Sequence, residues 1–388
     1  MKKILIVTYM PLHKEPRVLR QVQALKDEYK LSTIGYTQIP DDNIIYYPLR
    51  KITRTKRNIL QKLHYLFSLL LHNKKYIKNL LHINFDIDYI LSLDISEPDV
   101  IIAHDWEGLF LSSYLIKKHN WNSKIYYDAH EYSPNQFSAS LRWRIFVKPL
   151  INYSLKQFKS YIAAMSTVSD GIARKYERYF NYQTGYVSVI TNASDYQDTL
   201  KPNNVSDNKI KLIHHGNASK LRKLEQMIKM MKYLDSEVYE LTFMLIKQDP
   251  DYYNYLVNLS LKYKNINFIE PVQFSDISKT LNLYDIGVFL ILPENFNYKY
   301  CLPNKLFEFV QARLAVAIGP SIEMVKIVKK YNLGIYSKDF SSKSLAKQIS
   351  SLTSENIHEY KKNSDKNAFE LSSNLNITRI KSIISKLL

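Results

Sequence analysis

The feature that most restricts the fold is an alternation that runs along the chain and starts twice. Short apolar, β-branched or aromatic runs trade places with segments whose apolar residues recur at helical spacing. Lys3 to Tyr9 reads as a buried first strand, Glu15 to Glu28 as a helix with Val18, Val22 and Leu25 on one face, and Leu31 to Tyr36 as the next strand. Further strands are predicted at Asp99 to His104, Lys124 to Ala129, Tyr161 to Val168 and Val187 to Thr191. Runs this apolar suit parallel strands covered on both faces by helices. A polar stretch from Asn192 to Asn208, containing Pro202, interrupts the pattern and reads as a linker. Strands then resume at Ile210 to His215, Leu241 to Lys247, Ile266 to Glu270, Ile286 to Leu292 and Leu314 to Gly319, before a helical region from about Glu355 to Leu388. The expected fold is α/β, with two Rossmann-like doubly wound domains facing a central cleft at strand C-terminal ends.

Composition narrows the chemistry. Eight glycines among 388 residues are about 2%, against a usual share of about 7%, and leave no G-x-G-x-x-G or P-loop phosphate cradle. A phosphate site in this chain must be built from helix N-termini and cationic side chains. The single cysteine, Cys301, excludes disulfides and thiolate zinc sites and suits a reducing compartment, so a cytoplasmic location is expected. Pro11, His13, Lys14 and Glu15 stand where a signal peptide would continue its apolar stretch. No run approaches the roughly 20 apolar residues that span a bilayer.

The formal net charge of +18 calls for an anionic partner. Arg50 to Asn84 holds nine Lys or Arg and no Asp or Glu, and Ile59, Leu63, Leu66, Phe67, Leu70, Leu71, Ile77 and Leu81 recur in it near helical period. Part of that stripe is expected in the core. The basic face is expected to meet an anionic membrane surface, making the protein peripheral on the inner face of the cell membrane. No nucleic-acid recognition motif accompanies the charge. Asp86-Ile87-Asp88 spells D-x-D without a companion His or acidic cluster, so no metal site is expected there. The elbow of Ser hydrolases and the H-E-x-x-H zinc motif are both missing.

Six segments say more: Pro16-Arg17-Val18 to Leu25, Ala103-His104-Asp105, Tyr127-Asp128-Ala129-His130-Glu131, His215-Gly216 to Arg222-Lys223, Tyr284-Asp285-Ile286-Gly287 and Leu302-Pro303-Asn304-Lys305-Leu306-Phe307-Glu308. In these the chain resembles nucleotide-sugar-dependent glycosyltransferases of the GT-B fold, of the group 1 or family 4 type, over nearly its whole length. The resemblance implies an N-terminal acceptor domain over 1–195, a C-terminal nucleotide-sugar donor domain over 196–365 and a helical region over 366–388. It also implies transfer of a sugar from a nucleotide-diphosphate donor to a growing surface glycan or lipid-linked acceptor, with retention of configuration and without metal or cofactor.

Physical readings accompany the motifs. Pro303 is a good first helical residue, so the helix behind it would offer free N–H groups to a diphosphate while Lys305 adds charge. Glu308, one turn on, can accept hydrogen bonds from ribose hydroxyls, although Pro and Glu also open ordinary helices. Donor contacts are expected from Gly216, Asn217, Asn304, Lys305, Leu306 and Glu308. An Arg-Lys pair after a strand is usually solvated surface; the resemblance instead assigns Arg222, and Lys223 above all, to the departing diphosphate. His130 and Glu131 complete the candidate catalytic set, with Asp105 and Asp128 on the acceptor side.

Two departures stand out. Many relatives carry a glutamate where this chain has Tyr300, and an arginine after the loop glycine where it has Asn217. They keep two other readings open: a catalytically silent GT-B subunit that binds a partner or glycan, and a sugar-nucleotide epimerase sharing the fold.

Overall fold

All strand pairing among the described residues is parallel. The computed structural model describes residues 1–12, 15–50, 66, 69, 73–205 and 209–388. They form two compact units: Met1–Ile190 with Asn295–Asn297 and Ile377–Leu388, and Thr191–Glu294 with Tyr298–Asn376.

Unit 1 contains β1 (Lys3–Val7), β2 (Lys30–Gly35), β3 (Ile45–Pro48), β4 (Val100–His104), β5 (Lys124–Ala129), β6 (Ile162–Thr167) and β7 (Val187–Val189). Their order in the sheet is β3-β2-β1-β4-β5-β6-β7. Ile4 to Val7 and Val100 to Ala103 are fully buried, as central strands roofed by helices on both faces must be. The helix Pro16–Leu25 starts with proline at its first position and buries Val18, Val22 and Leu25, the predicted stripe. The helix Asp105–His119 crosses so close to the sheet that a Cβ on Gly108 would stand 2.9 Å from the Val7 carbonyl oxygen. Late in the chain, Ile380 and Ile384 of the helix Ser373–Leu387 join Ile4, Ile6, Val18, Val22 and Ile102 in one apolar cluster.

Unit 2 contains β8 (Ile210–Asn217), β9 (Tyr239–Ile246), β10 (Ile266–Ile269), β11 (Ile286–Phe289), β12 (Ala315–Ile318) and β13 (Gly334–Tyr336), in the order β10-β9-β8-β11-β12-β13. Alternate residues along β8 and β9 feed different clusters. Leu212, Leu241 and Phe243 pack with Met227 and Leu345, while Ile213 and Met244 pack with Phe307, Phe309 and Val310.

The α/β architecture of two doubly wound domains is as expected. The edge strands β3 and β13 had no counterpart in the sequence reading. Most of the basic stretch Arg50 to Asn84 lies outside the described residues; from Lys74 to Asn84 it is a helix that buries Ile77, Leu80 and Leu81. No helix among the described residues is long and apolar enough to cross a membrane.

Candidate functional site

Each sheet reverses its strand order once, between β1 and β4 in unit 1 and between β8 and β11 in unit 2. Strand C-termini at such a reversal are where doubly wound sheets bind ligands. The candidate residues gather at these ends in each unit.

In unit 1, β4 ends at His104 and the next residue, Asp105, holds φ at 54°, a left-handed backbone that costs a non-glycine residue energy. β5 delivers Asp128, then His130 and Glu131. Asp128 is fully buried and its oxygens are taken. Arg17 donates through Nε at 2.8 Å and Nη2 at 2.6 Å, Gln21 Nε2 at 2.7 Å and Ser166 Oγ at 2.5 Å. Burial alone would push its carboxyl up, but the Arg17 charge and paired hydrogen bonds prevail and hold it well below the usual carboxylate range. Asp128, expected on the acceptor side, anchors Arg17, and Arg17 Nη1 ties the Ile190 carbonyl at 2.6 Å.

His130 sits above this anchor. Its backbone N–H donates to Asp105 Oδ1 at 2.9 Å, its Nε2 lies 3.0 Å from His104 Nδ1, and its Nδ1 lies 3.5 Å from Asp105 and 3.8 Å from Glu15. Burial pushes His104 down to about 3 and His130 down to about 4, with Asp128 opposing in both, so each imidazole is neutral at pH 7. The surrounding acids move the other way. Desolvation pushes Asp105 up to about 6, and desolvation with the Asp105 charge pushes Glu15 and Glu131 up to about 7 and Glu107 up to about 8. Glu131 also accepts from Asn297 Nδ2 at 3.0 Å. Carboxyls tuned this way exchange protons near neutrality, as a general base must.

His104, Asp128 and His130 bring one ligand atom each within 4.8 Å of one another. A divalent cation does not fit them, because it would compete for Asp128 with a guanidinium already in bidentate contact. In the D-x-D stretch, Asp88 lies 2.9 Å from His82 Nε2, and Asp86 precedes the short helix Ile87–Leu91 without a side-chain capping bond.

In unit 2, β8 ends in His214, His215, Gly216 and Asn217, and Asn217 pairs in register with Ile246. Gly216 has φ of 121°, and a Cβ there would stand 2.5 Å from Lys305 Nζ and 3.4 Å from an Arg222 guanidinium nitrogen. Only glycine leaves room for this approach. Lys305 is in the first turn of the helix Asn304–Gln311, whose N-cap is Pro303; proline thus precedes the helix rather than opening it. No side chain caps that terminus. Burial, then the Arg222 charge, push Lys305 down to about 7. Arg222 Nη1 is buried and has no hydrogen-bond partner. Lys223 is oriented differently: its backbone is left-handed at φ 51° and its half-exposed ammonium lies 3.9 Å from Glu294. Glu308, 5% exposed, stands 3.2 Å from His215 Nε2. Leu306 packs into the core and its N–H donates to the Pro303 carbonyl at 3.2 Å, which secures the helix start.

Unit 2 therefore brings the buried Lys305 and the partly buried Arg222 together at a helix terminus that no side chain caps, an arrangement chemically suited to an anion. The sequence reading missed Glu15, Gln21, Ser166 and the part played by His104. Arg17, Gln21 and His104 lie inside the motif segments; Glu15 and Ser166 carry no motif signal.

No family model matches the chain, and no curated protein matches it in sequence. Its fold is that of known two-domain proteins. Sucrose-phosphate synthase of Thermosynechococcus elongatus superposes with a TM-score of 0.71 at 12% identity, covering 100% of this chain and 99% of that one. HepE of Anabaena in complex with UDP gives 0.68 at 12% identity over 100% of both chains. A glycosyltransferase from Rickettsia africae gives 0.65 at 15% identity over 100% and 98%. The architecture these share with the chain is the GT-B fold.

Proposed function

We propose that the protein is a nucleotide-sugar-dependent glycosyltransferase of the group 1, family 4 type. In this reading it moves a hexosyl unit from a nucleotide-diphosphate sugar to a glycan or lipid-linked acceptor, with retention and without metal or cofactor. One observation carries it: Lys305 and Arg222 converge over Gly216 at a helix N-terminus that no side chain caps. As the sugar bond breaks, charge grows on the departing diphosphate. Fixed cations in a desolvated site stabilise that charge without reorganising. Glu308, oriented beside His215, is suited to accept from ribose hydroxyls, and Lys223 from a more exposed position adds field. Unit 1 supplies the acceptor half, with Glu131, Asp105 and Glu15 as carboxyls able to take a proton.

UDP bound to HepE and UDP-glucose bound to the same protein support a uridine nucleotide as the first ligand to try. Calorimetry with UDP, GDP, dTDP, ADP and CMP, followed by turnover of the matching nucleotide sugars, tests the proposal. Glu308→Gln should weaken binding of the free nucleotide, and Lys223→Ala should lower turnover more than affinity. Nucleotide binding without any transfer or donor hydrolysis would favour the silent subunit that Tyr300 and Asn217 suggest, and a changed sugar would favour the epimerase.

The location proposed is cytoplasmic and peripheral on an anionic membrane, through the basic stretch that begins at Arg50. Flotation with anionic liposomes at low salt, lost when Lys56, Arg57 and Lys62 are reversed in charge, is the corresponding measurement.

A further inference from the structure

We infer that His104 is a positioning residue that fixes His130 as its Nδ1–H tautomer, so that His130 presents a hydrogen-bond donor, not a base, toward Asp105 and Glu15. The inference begins at the buried anchor. Asp128 is an ionised carboxylate that accepts from Arg17, Gln21 and Ser166, and it can only accept. His104 Nδ1 lies 3.6 Å from Asp128 Oδ2 and 3.0 Å from His130 Nε2. A lone pair at His104 Nδ1 would face the carboxylate's negative charge, whereas a proton there is attracted by it.

The far nitrogen points the same way. His104 Nε2 is buried and has no hydrogen-bond partner. A neutral imidazole carries its proton on one nitrogen only. Placing it on Nε2 would bury an unsatisfied donor, the more costly kind of orphan, while placing it on Nδ1 leaves an idle acceptor. His104 therefore donates to His130 Nε2. That nitrogen is then an occupied acceptor, and neutral His130 must carry its proton on Nδ1, the atom 3.5 Å from Asp105 Oδ2 and 3.8 Å from Glu15 Oε2. The order runs from Arg17 through Asp128 and His104 to His130, and each member fixes the next. Proton acceptance in unit 1 is left to the carboxyls.

The catalytic consequence rests on the transferase reading above; the tautomer does not. Long-range 1H–15N correlation spectra of the full chain at pH 7, with the His130 signals assigned by their loss in His130→Gln, read the tautomer directly. The Nδ1–H pattern is expected in wild type. His104→Asn, which keeps a donor near the Nδ1 position, should retain it, and His104→Leu should release His130 toward Nε2–H. In turnover assays His104→Leu should lose up to about tenfold in kcat, the value of one oriented hydrogen bond, with nucleotide affinity unchanged and His104→Asn rescuing. An Nε2–H pattern for His130 in wild type overturns the inference, even if His104→Leu does not fold. So does an Nδ1–H pattern that persists in a folded His104→Leu. If no nucleotide sugar is turned over, the proposed function fails while the spectra still decide the relay.

Discussion

The two units place opposite chemistry at the same point of the same topology. In unit 1 the reversal of strand order is lined by carboxyls pushed up, around a cation, Arg17, that the fold already neutralises with Asp128. In unit 2 it is lined by cations pushed down, Lys305 and Arg222, with Glu308 opposing the shift at Lys305. A buried charge that is paired internally maintains structure, and two like charges desolvated side by side favour an anionic ligand. On the proposed reading, unit 1 handles the proton and unit 2 the anion, although their sheets differ by only one strand.

The contrast breaks most visibly at Asp128. Asp128→Ala strands the buried Arg17 guanidinium, and the expected cost is about 3–5 kcal/mol of unit 1 stability by urea denaturation. Replacing both residues by apolar ones should recover most of it. A loss under about 1 kcal/mol for the single variant would mean that the pair is not the anchor described.

Unit 2 should answer the equivalent deletion in reverse. Lys305→Met removes a desolvated charge set against Arg222, so the melting temperature should hold or rise while turnover falls by roughly 10²- to 10³-fold. Lys305 is pushed down to about 7, so at pH 8 it is mostly neutral in the free protein. An arriving diphosphate raises its affinity for a proton, and binding should take up as much as about one proton. Calorimetry in buffers of different ionisation enthalpy measures this, and Lys305→Met should abolish it.

The smallest effect sharpens the comparison through pH. Glu107 is raised from 4.5 to about 8, so its folded state binds a proton more tightly than its unfolded state. That contribution is fully present below pH 4.5 and is lost as pH rises through 8. Lys305 is lowered from 10.5 to about 7, so its contribution grows as pH rises from 7 to 10.5. Glu107→Gln should flatten the fall in stability between pH 4.5 and 8, and Lys305→Met the rise above it. Denaturation midpoints across pH would show both, and identical slopes in variant and wild type would place the charge balance elsewhere.

Much of this was legible in the residues. Central strands announce themselves because both faces are covered, so β1, β4 and β5 read as continuous apolar runs. Edge strands do not: β3 spans four residues with none buried, and β13 only three. Gly216 and the Asn304–Glu308 segment were legible because their contacts are fixed by a short loop and a helix start. Which of Arg222 and Lys223 turns toward Gly216 depended on one left-handed residue, and Lys223 at φ 51° is not a residue type that advertises it. The Asp128 network was least legible. Its partners Arg17, Gln21 and Ser166 are 111, 107 and 38 positions away in sequence, and only the assembled sheet brings them together.

The helix Ser373–Leu387 gives unit 1 an unusual birth order. A ribosome releases β1 through β7 within the first 190 residues, yet the cluster around Ile4 and Ile6 lacks Ile380 and Ile384 until unit 2 has been translated in full. The domain begun first is thus the domain finished last. During synthesis it must wait with part of its apolar surface uncovered, a period in which a nascent chain depends on chaperones.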